Sequence, residues 1–324
     1  MTDAHIPNSR ATPDWKELPY ERTSFEKAIE LTPIAGYTGR YSGYAPKDWC
    51  TPQLDDRGSC VHGGYISALL IAGSRKYFLS QHPDLNQPDP ITMHVQFLQL
   101  APEGQFHVLF KDIRLNPRHS IIQAEFLSPD LNVHTSYTLA ICTMGDLNSN
   151  SGISIKLPPI STPNREEECG RWTNGFFYHI TPTSSSCRCY NPNDGPEIMW
   201  SPKVGQNKRE QWSKLDSGHN FTLEHLGALA DLIPPIPLNY ERSALKGVLK
   251  YEFPTLSLSF DFRSDPAGKK EWILLRTTMN KLENGRFDMD VQMIDDNGDL
   301  VATVRHSTLM FSHKRGKSTK ESKL

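Results

Sequence analysis

Apolar and polar residues alternate along several stretches of the chain. Ile91, Met93, Val95 and Phe97 recur at every second position, the period of a half-buried strand. Leu256, Leu258, Phe260 and Phe262 repeat the pattern and predict a second such strand. Further strands are predicted over 105–115 and 272–279. Two hairpins follow, 121–127 with 134–143 and 287–294 with 300–310. The second hairpin turns at Asp296-Asn297-Gly298-Asp299, which has the residues that tight turns demand. Two stretches carry the helical period instead. One spans 63–78, with Ile66, Leu69, Leu70 and Gly73 on one face. The other spans 222–232, capped by Thr222 or Asn220 and stopped by Pro234-Pro235.

The pattern occurs twice. Pro90, Pro102, Gly104 and Asn116 return as Pro254, Pro266, Gly268 and Asn280, each 164 residues later. Asp130 and Met144 match Asp296 and Met310 at 166, which implies a two-residue insertion in the second hairpin. The alternating strands are out of phase by one residue in the ungapped match, so the register must slip there. One helix against an antiparallel sheet, repeated, is an α+β layout. The predicted organisation is a polar N-terminal segment (1–40), a first half (41–145), a Ser/Pro/Asn/Glu-rich linker (146–171), a second half (172–312) and a basic tail (313–324). The apolar islands 176–180 and 198–200 are expected to supply the first strand of the second half. The polar stretch 181–194 reads as an exposed loop.

Composition narrows the function. The 324 residues are 37% hydrophobic and 22% charged with a net charge of -2, which points away from nucleic acid and anionic membrane as partners. The longest apolar run, near 65–72, is far shorter than a membrane span, and no secretory signal opens the chain. The six cysteines are expected as thiols, and Cys187-Arg188-Cys189 lacks the usual zinc spacing, so no metal is predicted. The chain ends Ser322-Lys323-Leu324, a peroxisomal address read by an import receptor, behind a basic stretch expected to be accessible. The expected location is therefore the peroxisome.

Three motifs carry a resemblance: Val61-His62-Gly63-Gly64-Tyr65, the helix end Ala230-Asp231-Leu232-Ile233-Pro234-Pro235, and Leu300-Val301-Ala302. Together, over 41–312, they resemble the double-hotdog thioesterase-like proteins, of which acyl-CoA thioesterase II is the best-known member. The resemblance implies a tandem hotdog fold, an acyl-CoA substrate and hydrolysis without a cofactor. It also implies three catalytic groups: an aspartate on the second helix, at Asp231; a threonine on the next strand, at Thr255; and a glutamine on the last strand, whose place is taken here by His306. Exposed sheet edges in such folds also make self-association an expectation by analogy.

The residues suit that chemistry. Thioester hydrolysis needs an activated water and a donor for the developing oxyanion. Asp231 lies in an apolar run, where desolvation would raise its pKa and improve it as a base. Thr255 and His306 could hold the same water. The first helix contains no acidic residue, and the places matching Thr255 and His306 are Pro90 or Ile91 and Ala140. The chemistry is thus expected in the second half alone. His62, Gly63 and Gly64 open the first helix, where unpaired N–H groups could hold the thioester oxygen or a phosphate. Arg114, Arg118 and Arg263 are candidates for the CoA nucleotide. Other readings are a hotdog hydratase or dehydratase, for which no close Asp/His motif is evident, a product-release or cyclisation protein, and an acyl binder.

Overall fold

The computed structural model describes residues 22–52, 58–149, 151–172, 183, 186–195, 199–241 and 250–312. The terminal Ser322-Lys323-Leu324 and the island 176–180 lie outside the described residues. The first half holds helix α1 (Phe25–Ala28), strand β1 (Arg40–Ala45), helix α2 (Gly63–Gln81) and strands β2 (Asp89–Phe97), β3 (Gly104–Arg114), β4 (Ser120–Leu127) and β5 (Ser136–Gly145). The remainder holds β6 (Cys169–Trp172), β7 (Cys187–Pro192), β8 (Lys208–Leu215), helix α3 (Leu223–Ala230), β9 (Thr255–Phe262), β10 (Trp272–Thr278), β11 (Arg286–Asp295) and β12 (Leu300–Leu309).

These strands join into one 14-stranded sheet that runs β1-β3-β4-β5-β2-β9-β12-β11-β10-β8-β7-β6, with short strands Thr32–Pro33 and Leu282–Glu283 attached. Each half contributes the same five-strand order outward from a central seam, where β2 and β9 pair antiparallel around His94 and Ser259. The helices pack against each other, and α2 also lies on the strands of its own half. Enclosure on so many sides is why α2 is apolar nearly all round, with Ala68, Leu69, Leu70 and Ile71 fully buried, instead of carrying a single apolar stripe.

The halves pack that closely because of small residues. A Cβ on Gly227 would lie 2.8 Å from the Ala68 nitrogen, and one on Gly64 would lie 2.6 Å from the Ala228 carbonyl oxygen. The sequence Gly64-x-x-x-Ala68 on one helix and Gly227-Ala228 on the other therefore sets the helix–helix distance.

The predicted slip of register is present, as a bulge in each half. In β2 it falls at Ile91, between Pro90 and Thr92; in β9 it falls at Leu256, between Thr255 and Ser257. An extra residue on one strand turns the side chains that follow to the other face. Leu256 therefore points outward, contrary to the alternation read from sequence, while Leu258, Phe260 and Phe262 are buried. Superposing the bulges matches Pro90 to Thr255 and Met93 to Leu258. Since Met93 pairs with Cys142 and Leu258 with His306, the first-half counterpart of His306 is Cys142 and not Ala140.

The expected insertion in the second hairpin is also corrected. The matching rungs Phe126–Thr138 and Met293–Ala302 each precede an irregularity, and the loop between them is longer in the first half. Asp130 and Asp296 were misleading landmarks. The tight second turn is organised by Asp295, whose carboxylate accepts from Asn297 N–H at 2.8 Å and Asp299 N–H at 2.9 Å, with Gly298 at φ +81°.

The expected loop over 181–194 contains a strand, β7, with Cys187 and Cys189 buried in it as thiols. The strand beside β10 is β8, which sequence reading missed. Its residues Arg209, Glu210 and Gln211 are all buried, so a charged stretch was hidden by its partners: Arg209 bonds the Pro234 carbonyl and the Asn239 side chain, and Glu210 pairs with Arg276. Trp200 lies in no strand.

Candidate active site

Asp231 caps the C-terminal end of α3, just before the proline pair that prevents the helix from continuing. A carboxylate there opposes the negative end of its own short helix. A second helix compensates. The carboxylate Oδ2 accepts from the Gly64 N–H at 3.0 Å, at the N-terminus of the 19-residue α2. The acid is thus supplied by one half and its positive helix end by the other. Its side chain is 19% exposed, sheltered yet open to a water molecule.

Gly63 and Gly64 make this seat possible. A Cβ on Gly63 would lie 2.7 Å from Asp231 Oδ2 and 3.1 Å from the Phe97 ring, and one on Gly64 would lie 3.0 Å from Asp231 Cβ. The glycines were read from sequence as places where a ligand approaches. In the structure they are first of all places where Asp231 approaches. Phe97, at the end of β2, forms a wall of the site that the strand pattern alone did not mark out.

His62 is the N-cap of α2. Its Nδ1 accepts from Gly64 N–H at 3.2 Å, and its Nε2 lies 3.8 Å from Asp231 Oδ2. Because Nδ1 is an acceptor, the proton of the neutral ring sits on Nε2 and faces the carboxylate. The Gly64 N–H is shared between these two groups. No close Asp/His arrangement was evident in the sequence, since the two residues are 169 positions apart; the fold creates one.

His306 is buried on β12, opposite Leu258 and Met289. Burial pushes its pKa below the ordinary histidine value, against the smaller opposing pull of Asp231 and of the Ala230 backbone. Neither ring nitrogen has a well-formed hydrogen bond among the described residues. Thr255 pairs with Thr308, two residues beyond His306 on the same face of β12. The bulge at Leu256 is what returns Thr255 to that face. The charge of Asp231 is thus felt at His306, and Thr255 shares the face of His306. Arg114, Arg118 and Arg263 are all exposed, and Arg263 pairs with Asp261. In the first half the matching places hold Pro90 and Cys142; burial pushes the Cys142 thiol up to about 12, which leaves it protonated and inert.

Comparison with known proteins agrees with this architecture. Residues 50–145 match the family model of the acyl-CoA thioesterase N-terminal domain, and residues 157–310 match that of the acyl-CoA thioesterase C-terminal domain. The chain is similar to the thioesterase-like protein TwmA of Talaromyces wortmannii, at 26% identity over 82% of this chain and 88% of that protein. Its fold is similar to an acyl-CoA thioesterase II, TesB2, from Mycobacterium marinum, with a TM-score of 0.62 at 12% identity over 90% of this chain and 99% of that one. It is also similar to the dehydratase domain from the CurJ module of curacin polyketide synthase, with a TM-score of 0.52 at 14% identity over 87% of this chain and 95% of that one. With both domain models matched in order across two paired halves, the chain belongs to the acyl-CoA thioesterase family, as a double-hotdog thioester hydrolase.

Proposed function

We propose that this protein hydrolyses an acyl-CoA thioester to the free acid and CoA, with Asp231 activating the water. The observation that carries the reading is the anchoring of the Asp231 carboxylate through one oxygen by the Gly64 N–H at the start of α2. Its other oxygen is then available to a water. The water oxygen attacks the thioester carbonyl carbon, its proton passes to Asp231, and the carbon–sulfur bond breaks. The departing thiolate takes up that proton, so the carboxylate is regenerated.

Thr255 and His306 are the groups proposed to hold the water. Neutral imidazole offers one N–H donor and one acceptor nitrogen, so, like a glutamine amide, it can both donate and accept. Burial that keeps His306 neutral would preserve that complement. The Gly63 N–H, at the first helical position, and the His62 Nε2–H are the donors proposed for the carbonyl oxygen.

Release of free thiol from a panel of acyl-CoAs tests the reading. Asp231→Asn should reduce kcat by on the order of 10²–10⁴ with the protein still folded. Turnover that survives the substitution would remove Asp231 from the mechanism. A second reading has one specific support, the His62–Asp231 pair at 3.8 Å across the two halves, which is an acid–base couple suited to dehydration of a hydroxyacyl thioester. Enoyl absorbance that appears without thiol release would favour it.

We also propose that the protein is imported into peroxisomes through Ser322-Lys323-Leu324. A fluorescent protein fused ahead of the chain should collect in peroxisomes and become diffuse when Leu324 is deleted. Retention after the deletion would show that the address lies elsewhere.

A further inference from the structure

Strand β12 carries a second buried polar residue that the site as described leaves unused. Its inward face reads Ala302, Val304, His306 and Thr308, while Arg305 and Ser307 point outward. Thr308 is 3% exposed, and its hydroxyl has no hydrogen-bond partner among the described residues. It sits between Thr255 on β9 and Phe287 on β11. His306, the inward residue before it, sits between Leu258 and Met289. Buried apolar side chains thus flank the patch at Leu258, Phe287 and Met289. Within it, the two ring nitrogens of His306 and the hydroxyl of Thr308 lack a well-formed bond among the described residues. Buried polar atoms in that state cost stability unless something bonds them.

The first half shows that the fold does not require them. With the bulges superposed, the rung Pro90–Met144 matches Thr255–Thr308, and Met93–Cys142 matches Leu258–His306. Met144 and Cys142 are both fully buried in the apolar core. The same three places hold Pro90, Cys142 and Met144 in one half and Thr255, His306 and Thr308 in the other. The polar set occurs in the half that carries Asp231.

From this exchange we infer that Thr308 is a further catalytic group, which holds the hydrolytic water together with Thr255 and His306. The inference rests on the hydrolase reading and adds a residue to it. The spacing suits one shared water. Directly opposite residues of paired strands have Cβ atoms roughly 5 Å apart, and successive residues on one face of a strand are about 7 Å apart. A water that bonds each neighbour at about 2.8 Å bridges such spans. The threonine hydroxyl can donate to that water or accept from it, so it serves the water before and after its proton leaves. An isolated threonine in a strand looks like an ordinary β-former, which is why the sequence did not mark it out.

Thr308→Val keeps the shape of the side chain and removes the hydroxyl. It should lower kcat for acyl-CoA hydrolysis about tenfold and leave KM unchanged, the pattern of a bond made only in the transition state. Its denaturant midpoint should equal or exceed that of the wild type, because a buried unbonded hydroxyl is removed. A packing role alone would not lower activity while stability holds. Thr308→Ser restores the hydroxyl and should keep kcat within about threefold of wild type. Ser307→Ala, on the outward face of the same strand, should leave kcat unchanged. A Thr308→Val protein with wild-type kcat, or a Thr308→Ser protein as slow as Thr308→Val, would overturn the assignment. A crystal structure separates it from the reading beneath it. In the wild type an ordered water should lie within hydrogen-bond distance of Thr308 Oγ1 and a His306 ring nitrogen, and Thr308→Val should lose it. That water in a protein that releases no thiol from any acyl-CoA would overturn the hydrolase reading and keep the water site. Thiol release with no water there would overturn the role of Thr308 and keep the hydrolase.

Discussion

At the scale of single residues, the site depends on atoms that are missing as much as on atoms present. Gly63 has no Cβ, and that vacancy is where the Asp231 carboxylate sits. His306 raises a sharper question, because it stands where a glutamine is expected from the resemblance. If its role is that of a neutral donor–acceptor, His306→Gln should keep kcat within about threefold, while His306→Leu, which cannot bond the water, should lose about 10²-fold. The pH profile gives an independent check. Burial lowers the His306 pKa, so the active neutral form should persist below the ordinary histidine range and be lost only as the pH falls further. His306→Gln has no proton to gain and should extend activity to still lower pH. An acid limb that is the same in both proteins would assign it to another group.

At the scale of elements, the α2–α3 contact is both the structural core and the platform of the site. Gly64→Ala would place a methyl 2.6 Å from the Ala228 carbonyl oxygen, in backbone that cannot yield as a flexible side chain would. The expected cost is about 2 kcal/mol of stability, read as a lower denaturant midpoint, together with a fall in kcat as Asp231 is displaced. Much of this level was legible beforehand. The helix beginning at Gly63, the end of α3 before Pro234, and eight of the long strands were visible as periods and stop signals. What failed was β8. It is buried on both faces and shows no alternation, and buried Arg209 and Glu210 look like surface residues until their partners, the Pro234 carbonyl, Asn239 and Arg276, are brought alongside.

At the scale of the whole molecule, the two halves are held by the β2–β9 seam, the packed helices and an ion cluster. Arg75 of α2 reaches Asp89 at 3.2 Å, Glu224 of α3 at 2.8 Å and Asp265 beyond β9 at 3.3 Å. Asp89 is 1% exposed, and desolvation pushes its pKa up despite the guanidinium. Removing the cation leaves a buried carboxylate unpaired, which costs more than the pair itself contributes. Arg75→Met is expected to lower unfolding free energy by about 3 kcal/mol at neutral pH, part of it recovered by adding Asp89→Asn. Equal losses in the single and double variants, measured by denaturant unfolding, would show that Arg75 does not act through Asp89.

The sequence alone determined the repeat, the helix and strand periods and the class of fold, and it singled out Asp231 as the candidate acid, because each of these is a local pattern or a motif a few residues long. Only the tertiary structure decided what surrounds that acid. His62 lies 169 positions from it, Gly64 lies 167, and His306, on another strand, feels its charge. Register decided the rest: one extra residue at Leu256 turns Thr255 to the face of His306 and makes Cys142, not Ala140, the silent counterpart in the other half. Strand alternation can state that two faces exist; which face a residue occupies after a bulge is settled by the pairing of strands distant in the chain.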